Sequence, residues 1–242
     1  MSLKPAHDPS CVLAYSFEEA SNTTVYDQSQ YGRNGTISGA TRVQGKLGKG
    51  MYFDGVDDYV QSSAFALTGT AISIVAWVKC AKYNKVQTII NKGTTSPTIG
   101  YIYLFRFIDT NTLGIQYANG TTNEYAQAVD YFTGYDNVFV NVALTCDYSG
   151  KLTKFYRNGQ IYMTFDMSGT PVFPSSNTVC LVGRYTTGIN EFKGVIDEVR
   201  LYNRLLTDQG ILKHYRYGIS QRARIRLPMF ERVKRRQARQ VT

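Results

Sequence analysis

The sequence predicts an all-β protein built from two antiparallel sheets packed face to face. Three observations carry this. Roughly a dozen short apolar or alternating runs follow one another at sandwich-like spacing, divided by glycine, asparagine and aspartate turn signals. Nineteen tyrosines stand against one tryptophan, with 21 glycines, a composition suited to pleated, half-buried surfaces and tight turns. Almost no helical periodicity appears before Thr207. A chain of 242 residues is long enough to bury one large core.

The elements follow in order. Residues 12–17, VLAYSF, read as a first strand. The polar, glycine-rich stretch from Glu18 to Gly50 reads as a long loop without a strong strand of its own, a feature that in compact domains wraps a sheet edge or holds an ion. MYFDGVDDYVQ, residues 51–61, gives two short strands around Asp54-Gly55, and AISIVAWVK, residues 71–79, is apolar on both faces and hence central. QTIINK and the aromatic run GYIYLFRFID come next, then a hairpin across Asn119-Gly120. Residues 137–146, NVFVNVALTC, form a second central strand; Asn158-Gly159 closes a hairpin in a type I′ turn. TVCLVGRY, residues 178–185, precedes FKGVIDEVRLYNR, residues 192–204, in which simple alternation places Asp197 with Val195, Val199 and Leu201. Thr207 then caps a short helix, with Asp208 in its first turn, running to about Tyr215 and ending near Gly218.

Charge divides the chain. Residues 1–212 hold 17 Lys/Arg against 17 Asp/Glu, whereas residues 213–242 hold ten against one, which accounts for the net +9. The expected organisation is therefore an N-terminal arm over 1–10, a neutral domain over 11–217 and a basic, extended C-terminal arm over 218–242. In that arm Arg222, Arg224 and Arg226 alternate with apolar residues, and Phe230, Arg232, Lys234, Arg235, Arg236 and Arg239 follow. Three partners suit it: none at all (a solvated tail), a nucleic acid or other anionic surface bound by counterion release, or a protein assembly into which it docks by both edges. Interleaved Ile225, Leu227, Met229 and Phe230 favour the assembly. No apolar run of membrane-spanning length occurs, and the N-terminus carries no leader signal. Cys11, Cys80, Cys146 and Cys180 lie far apart in apolar runs, without CxxC spacing, and read as buried thiols.

Taken together, YSFEE at 15–19, YDQSQYGRNGTISGA at 26–40, GKGMYFDGVDDYVQ at 48–61, ISIVAWVK at 72–79, VNVALTCD at 140–147, KFYRNGQ at 154–160 and FKGVIDEVRLYNRLLTDQGI at 192–211 resemble the laminin G-like jelly-roll domains of the concanavalin A-like lectin/glucanase superfamily. The resemblance covers about residues 11–215 and implies a two-sheet antiparallel jelly-roll sandwich. Phe139 and Asn141 stand where the family often has Trp and His.

The resemblance also directs the chemistry. Laminarinase-type members carry Glu-x-Asp-x-x-Glu on one strand, which sets carboxylates on one face for attack and protonation. No such pattern occurs here; Asp197-Glu198 and Asp57-Asp58 point to opposite faces of their strands, and neither His7 nor His214 suits a Ser–His–Asp arrangement. A non-catalytic protein is expected. By resemblance, Asp27 in the first long loop and Asp197 in the last strand would bind a structural calcium ion; otherwise backbone amides, Arg200 or Arg204 satisfy Asp197. Glycan binding is the family's commonest use. Tyr101, Tyr103, Phe105 and Phe107 share a strand face, either as a stacking platform on the concave sheet or as packing between the sheets, with Tyr31, Tyr83, Asn84, Tyr185 and Asn190 as rim contacts. Family members also occur on phage and virus particles. The leading expectation is a decoration or fibre module on a virion, oligomeric within the assembly, anchored by the arm and able to bind cell-surface glycans. The alternatives are a free extracellular calcium-dependent carbohydrate-binding domain and a nucleic-acid binder.

Overall fold

The structure, a computed structural model, describes residues 8–21, 23–80, 85–93, 100–106 and 111–226. Tyr83, Asn84, Phe107, His7, Phe230, Arg232, Lys234, Arg235, Arg236 and Arg239 lie outside the described residues. The described residues form sixteen strands and one helix: β1 Cys11–Tyr15, β2 Thr24–Val25, β3 Gly35–Ser38, β4 Thr41–Gln44, β5 Lys49–Asp54, β6 Tyr59–Ser62, β7 Ala71–Cys80, β8 Gln87–Lys92, β9 Ile102–Arg106, β10 Leu113–Ala118, β11 Asn123–Ala128, β12 Val140–Asp147, β13 Leu152–Arg157, β14 Gln160–Asp166, β15 Cys180–Val182, β16 Lys193–Tyr202 and α1 Asp208–Arg226.

Two eight-stranded antiparallel sheets result. Sheet A runs β14-β13-β12-β7-β16-β5-β4, with β1 also on β16; sheet B runs β11-β10-β9-β8-β15-β6-β3-β2. Between them lies one continuous core that includes Phe53, Ile74, Leu104, Ile115, Leu144, Phe155, Ile196 and Leu201. Each such side chain contributes about 1.5–3 kcal/mol on leaving water. The loop expected over 18–50 contains three short strands, β2, β3 and β4, which edge both sheets. Their few apolar residues hid them from a pattern reading. β5 and β6, adjacent in sequence, belong to different sheets, so Asp54-Gly55 marks a crossover. The Asn158-Gly159 turn is as expected: both residues have positive φ and join paired Arg157 and Gln160.

The β16 strand departs from simple alternation. Its register shifts between Asp197 and Arg200, and Glu198 takes φ +51. This bulge sits where one neighbour, β5 (on Lys193–Ile196), gives way to another, β1 (on Val199–Tyr202). Ile196, Val199 and Leu201 face the intersheet core, whereas Asp197 stands opposite Trp77 on the outer side of sheet A. The grouping of Asp197 with Val199 and Leu201 is thereby corrected.

Helix α1 covers that outer side. Thr207 Oγ1 caps it by accepting Gly210 N–H (3.1 Å), and Asp208 accepts the Tyr156 hydroxyl (2.7 Å). Leu206 and Ile211 pack with Ala14, Val75, Ala143, Tyr156 and Tyr202. The helix is longer than expected: it passes through Gly218 and reaches Arg226, so residues 218–226, including Arg222, Arg224 and Arg226, are helical and not an extended arm. Gly218 is no stop signal. A Cβ there would lie 2.5 Å from Trp77 Nε1, so the glycine lets the helix backbone rest on the indole. Tyr215 stacks on Trp77 (centroids 5.7 Å), and Lys46 Nζ stands 4.1 Å from the same ring centroid. His214 is buried; Arg200 donates to its Nδ1 (3.3 Å), so Nε2 carries the proton toward Tyr202 Oη (3.1 Å).

Candidate functional site

On the outer face of sheet B the strand register assembles a row of side chains. Gln61 stands opposite Leu181, Leu181 opposite Asn91, Asn91 opposite Tyr103, Tyr103 opposite Gln116, and Gln116 opposite Tyr125. Directly opposed residues of a sheet share a face. The row therefore crosses β6, β15, β8, β9, β10 and β11. Beside it Tyr101, Tyr103, Ala118 and Tyr185 form an apolar cluster separate from the intersheet core, joined by Val86 and Val172.

Hydrogen bonds fix the row. Gln116 Nε2 donates to Tyr125 Oη (2.8 Å), and Asn190 Nδ2 to Tyr103 Oη (2.7 Å). Asn91 is committed internally: Nδ2 donates to Ile102 O (3.2 Å), while the Thr186 hydroxyl hydrogen-bonds its Oδ1. The Tyr103 and Tyr185 rings meet at 4.6 Å. Asn190, at φ +58, turns the β15–β16 connection back onto the sheet. Tyr125 is 44% exposed and Asn190 half-buried, whereas Tyr101, Tyr103 and Tyr185 form the floor. Burial pushes the Tyr103 phenol up to about 12, so it stays neutral.

The expected rim residues separate. Tyr185 and Asn190 join the row, but Tyr31 lies elsewhere, its hydroxyl on Pro9 O and its ring under Arg33. Tyr101 and Tyr103 face outward while Ile102 and Leu104 enter the core, so packing between the sheets is excluded for these two tyrosines. Gln116, Tyr125, Asn91 and Thr186 were missed. Their signal was register: Tyr103, Gln116 and Tyr125 are neighbours only once β9, β10 and β11 pair.

A second polar site lies on the outer side of sheet A. Asp197 is fully buried; its Oδ2 accepts Leu47 N–H (2.8 Å), the Glu198 backbone amide also favours the carboxylate, and Oδ1 makes no hydrogen bond of ordinary length among the described residues. Burial, and then Glu198 beside it, pushes its pKa well above the usual carboxylate range. Arg200 does not pair with it but with Glu198 (2.7 Å), and Arg204 pairs with Asp8 (2.9 Å). A Cβ on Gly45 would lie 2.7 Å from Asp197 Oδ2, so the Gly45–Lys49 loop closes on the carboxylate; Glu18 accepts Lys49 N–H (3.0 Å) from the same loop. Asp27 is otherwise engaged: it accepts Ala14 N–H, Ser29 N–H, the Ser29 hydroxyl and Arg33 N–H, four bonds that saturate its two oxygens. It therefore holds the first loop and shows no described contact with Asp197. Among the described residues, one group of three acids brings its ligand atoms within 4.8 Å: Asp54, Asp57 and Asp58. There Asp58 accepts Asp54 N–H and Asp54 accepts Val56 N–H, so two of its carboxylates serve the turn.

The fold and the outward aromatic row define a lectin-like jelly roll. Residues 54–212 match the family described as concanavalin A-like lectin/glucanases superfamily (Laminin_G_3), and the chain belongs to that family. Comparison with curated protein sequences returned no significant match. Among solved structures, the receptor-binding domain of botulinum neurotoxin D is similar, with a TM-score of 0.67 at 16% identity over 87% of this chain and 53% of that one. So is domain 4 of AbnA, an extracellular arabinanase from Geobacillus stearothermophilus solved with arabinotriose: TM-score 0.66 and 20% identity over 84% of this chain and 97% of that one. The botulinum neurotoxin D ligand-binding domain solved with N-acetylneuraminic acid gives 0.65 at 15% identity, over 86% and 50%. At such identities the likeness is one of fold. The chain spans about half the length of the neurotoxin chains it matches. Within the described residues no helix is long and apolar enough to cross a membrane.

Proposed function

We propose that this chain is a non-catalytic carbohydrate-binding module whose glycan surface is the outer face of sheet B around Tyr103, Gln116, Tyr125 and Asn190. The observation that carries this is the cross-strand row itself. An exposed aromatic face beside amide and hydroxyl groups offers a sugar both stacking and directional bonds. Domains of this fold solved with arabinotriose and with N-acetylneuraminic acid support the reading. The row carries no carboxylate, and glycoside hydrolysis calls for two. Glycan-array and calorimetric titrations test the proposal: Tyr125→Ala and Asn190→Ala abolish binding with the circular dichroism spectrum unchanged. Sugar binding that survives both substitutions sinks it.

Attachment to a larger assembly, a virion or another extracellular structure, is the accompanying proposal. It rests on the charge step at residue 213 and on the position of α1, which leaves from the face opposite the row. Removing residues 227–242 leaves α1 in place and abolishes incorporation; incorporation that persists refutes the anchor. Steeply salt-dependent binding of the arm to DNA or RNA would instead assign it to nucleic acid.

Calcium at Asp197 is a proposal too. The buried Oδ1, which makes no hydrogen bond of ordinary length among the described residues, fits a hard cation, with Glu18 as second acid in place of Asp27. The ion would supply the positive charge that this carboxylate lacks and would fix the Gly45–Lys49 loop.

A further inference from the structure

The row on sheet B has a chemical character that selects among glycans. Along it stand Gln61, Leu181, Asn91, Tyr103, Gln116 and Tyr125, with Tyr101, Ala118 and Asn123 alongside. Amides, hydroxyls, aromatic rings and aliphatic groups make up the whole set, and burial disfavours ionisation of the Tyr101 and Tyr103 phenols. An anionic sugar bound there would lose water without gaining a cation, a loss that hydrogen bonds from neutral groups offset poorly.

Among the described residues, exposed Lys85 adjoins Val86 of the cluster and is already engaged in an interaction of its own. Arg184 sits over the Tyr59 ring (3.8 Å) on β6, three strand spacings, or about 14 Å, from Tyr103 on β9. Glu191, on the β15–β16 connection, is an acid, and its sign opposes an anion. The N-terminus of α1, the one helix among the described residues, opens on sheet A.

Two polar atoms of the floor also lack partners. Tyr101 Oη and Asn123 Oδ1 are buried and make no hydrogen bond among the described residues. Asn123 stands opposite Ala118, which belongs to the Tyr101–Tyr103–Tyr185 cluster. Tyr101 Oη can donate as well as accept, whereas Asn123 Oδ1 only accepts, so a hydroxyl or amide suits both. A carboxylate or sulfate oxygen offers no proton to Asn123.

We infer that the site takes neutral oligosaccharides and discriminates against sialylated, uronic or sulfated ones. The inference rests on the glycan-binding reading above. Matched neutral and sialylated pairs on a glycan array, followed by calorimetry of lactose against 3′-sialyllactose and of xylotriose and arabinotriose, test it at 50 and 500 mM NaCl. At least one neutral sugar binds, its affinity changes less than twofold between the salts, and Tyr125→Ala weakens it at least tenfold. Sialylation weakens binding at least tenfold wherever the neutral parent binds. Because the basic C-terminal segment attracts anions on its own account, an acidic-glycan signal counts against the inference only when Tyr125→Ala removes it. A sialylated sugar that binds as well as its neutral parent and is lost in Tyr125→Ala overturns the neutral preference while leaving the glycan site intact. Absence of binding by every neutral and acidic sugar removes the glycan reading itself.

Discussion

Replacing Lys92 by Met gives a quantitative test of how the end of the sandwich is held. Lys92 is 1% exposed, and its ammonium donates to Phe65 O (2.6 Å), Ser176 O (3.0 Å), Thr178 O (3.2 Å) and Thr178 Oγ1 (3.1 Å). It also stands 4.4 Å from the Phe65 ring centroid, with Arg33 at 4.2 Å from the same ring. Burial pushes the Lys92 pKa down to about 8, so at pH 7 the group is still an ammonium. Methionine keeps the stem and removes the charge. Phe65 O and Thr178 O retain their mutual backbone bridge (3.3 and 3.0 Å), but Ser176 O shows no other described partner. One orphaned carbonyl costs about 1–3 kcal/mol. A lost cation–π contact adds about 1 kcal/mol. The relief of burying no charge offsets part of this, which leaves a net loss of about 2–3 kcal/mol. For a chain of this size that is a fall in Tm of roughly 4–12 °C, read by differential scanning calorimetry at pH 7. An unchanged or raised Tm would refute the reasoning and show that desolvation of the ammonium outweighs its four bonds.

Other expectations follow from the opposite sheet. Asp197→Asn removes a buried carboxylate whose folded pKa lies above its unfolded value. That charge lowers stability as pH rises from the unfolded pKa of 3.8, so in chelator the variant is at least as stable as wild type at pH 7. With saturating Ca²⁺ wild type gains about 2.7 kcal/mol at a hundredfold excess over Kd and the variant gains nothing; equal thermal shifts in both would dismiss the calcium proposal. His214 titrates at about 3 when folded, against 6.5 unfolded, because burial and Arg200 disfavour its charge. The unfolded chain therefore binds its proton first as pH falls, and stability present above pH 6.5 is lost toward pH 3. His214→Gln flattens that slope in denaturant titrations; an unchanged slope assigns it to other groups. Gly218→Ala adds about 1 kcal/mol of helix propensity but sets a methyl group against Trp77. We expect net destabilisation and a red-shifted emission from this single tryptophan, whereas a stabilised variant would show that α1 yields at no cost.

Much of the sandwich was legible because its long strands advertise themselves. Residues 71–79 and 137–146 are apolar on both faces, and structure puts β7 and β12 side by side at the centre of sheet A. The short strands β2, β3 and β4 were illegible: two to four residues show no period. The bulge at Glu198 inverted the facing of Val199 and Leu201 relative to Asp197, and no local rule announces a bulge that answers a change of neighbour from β5 to β1. Gly218 misled for a related reason. A glycine near a helix end signals termination, yet here it serves contact with a residue 141 positions earlier. At the candidate site, Tyr185 and Asn190 were visible as loop aromatics and amides, but Gln116 and Tyr125 acquire meaning only from cross-strand register.

The placement of α1 sets what a crowd of these molecules would do. Helix α1 packs on the side of the sandwich opposite sheet B's outer face, so chains held to one support through that helix would turn sheet B outward. The proposed sugar site on that face would then act in parallel with its neighbours, and the local concentration of sites in place of any single contact would govern retention. Weak individual binding with rapid release would in that setting be an advantage: the array could roll across a sugar-coated surface without becoming fixed to it.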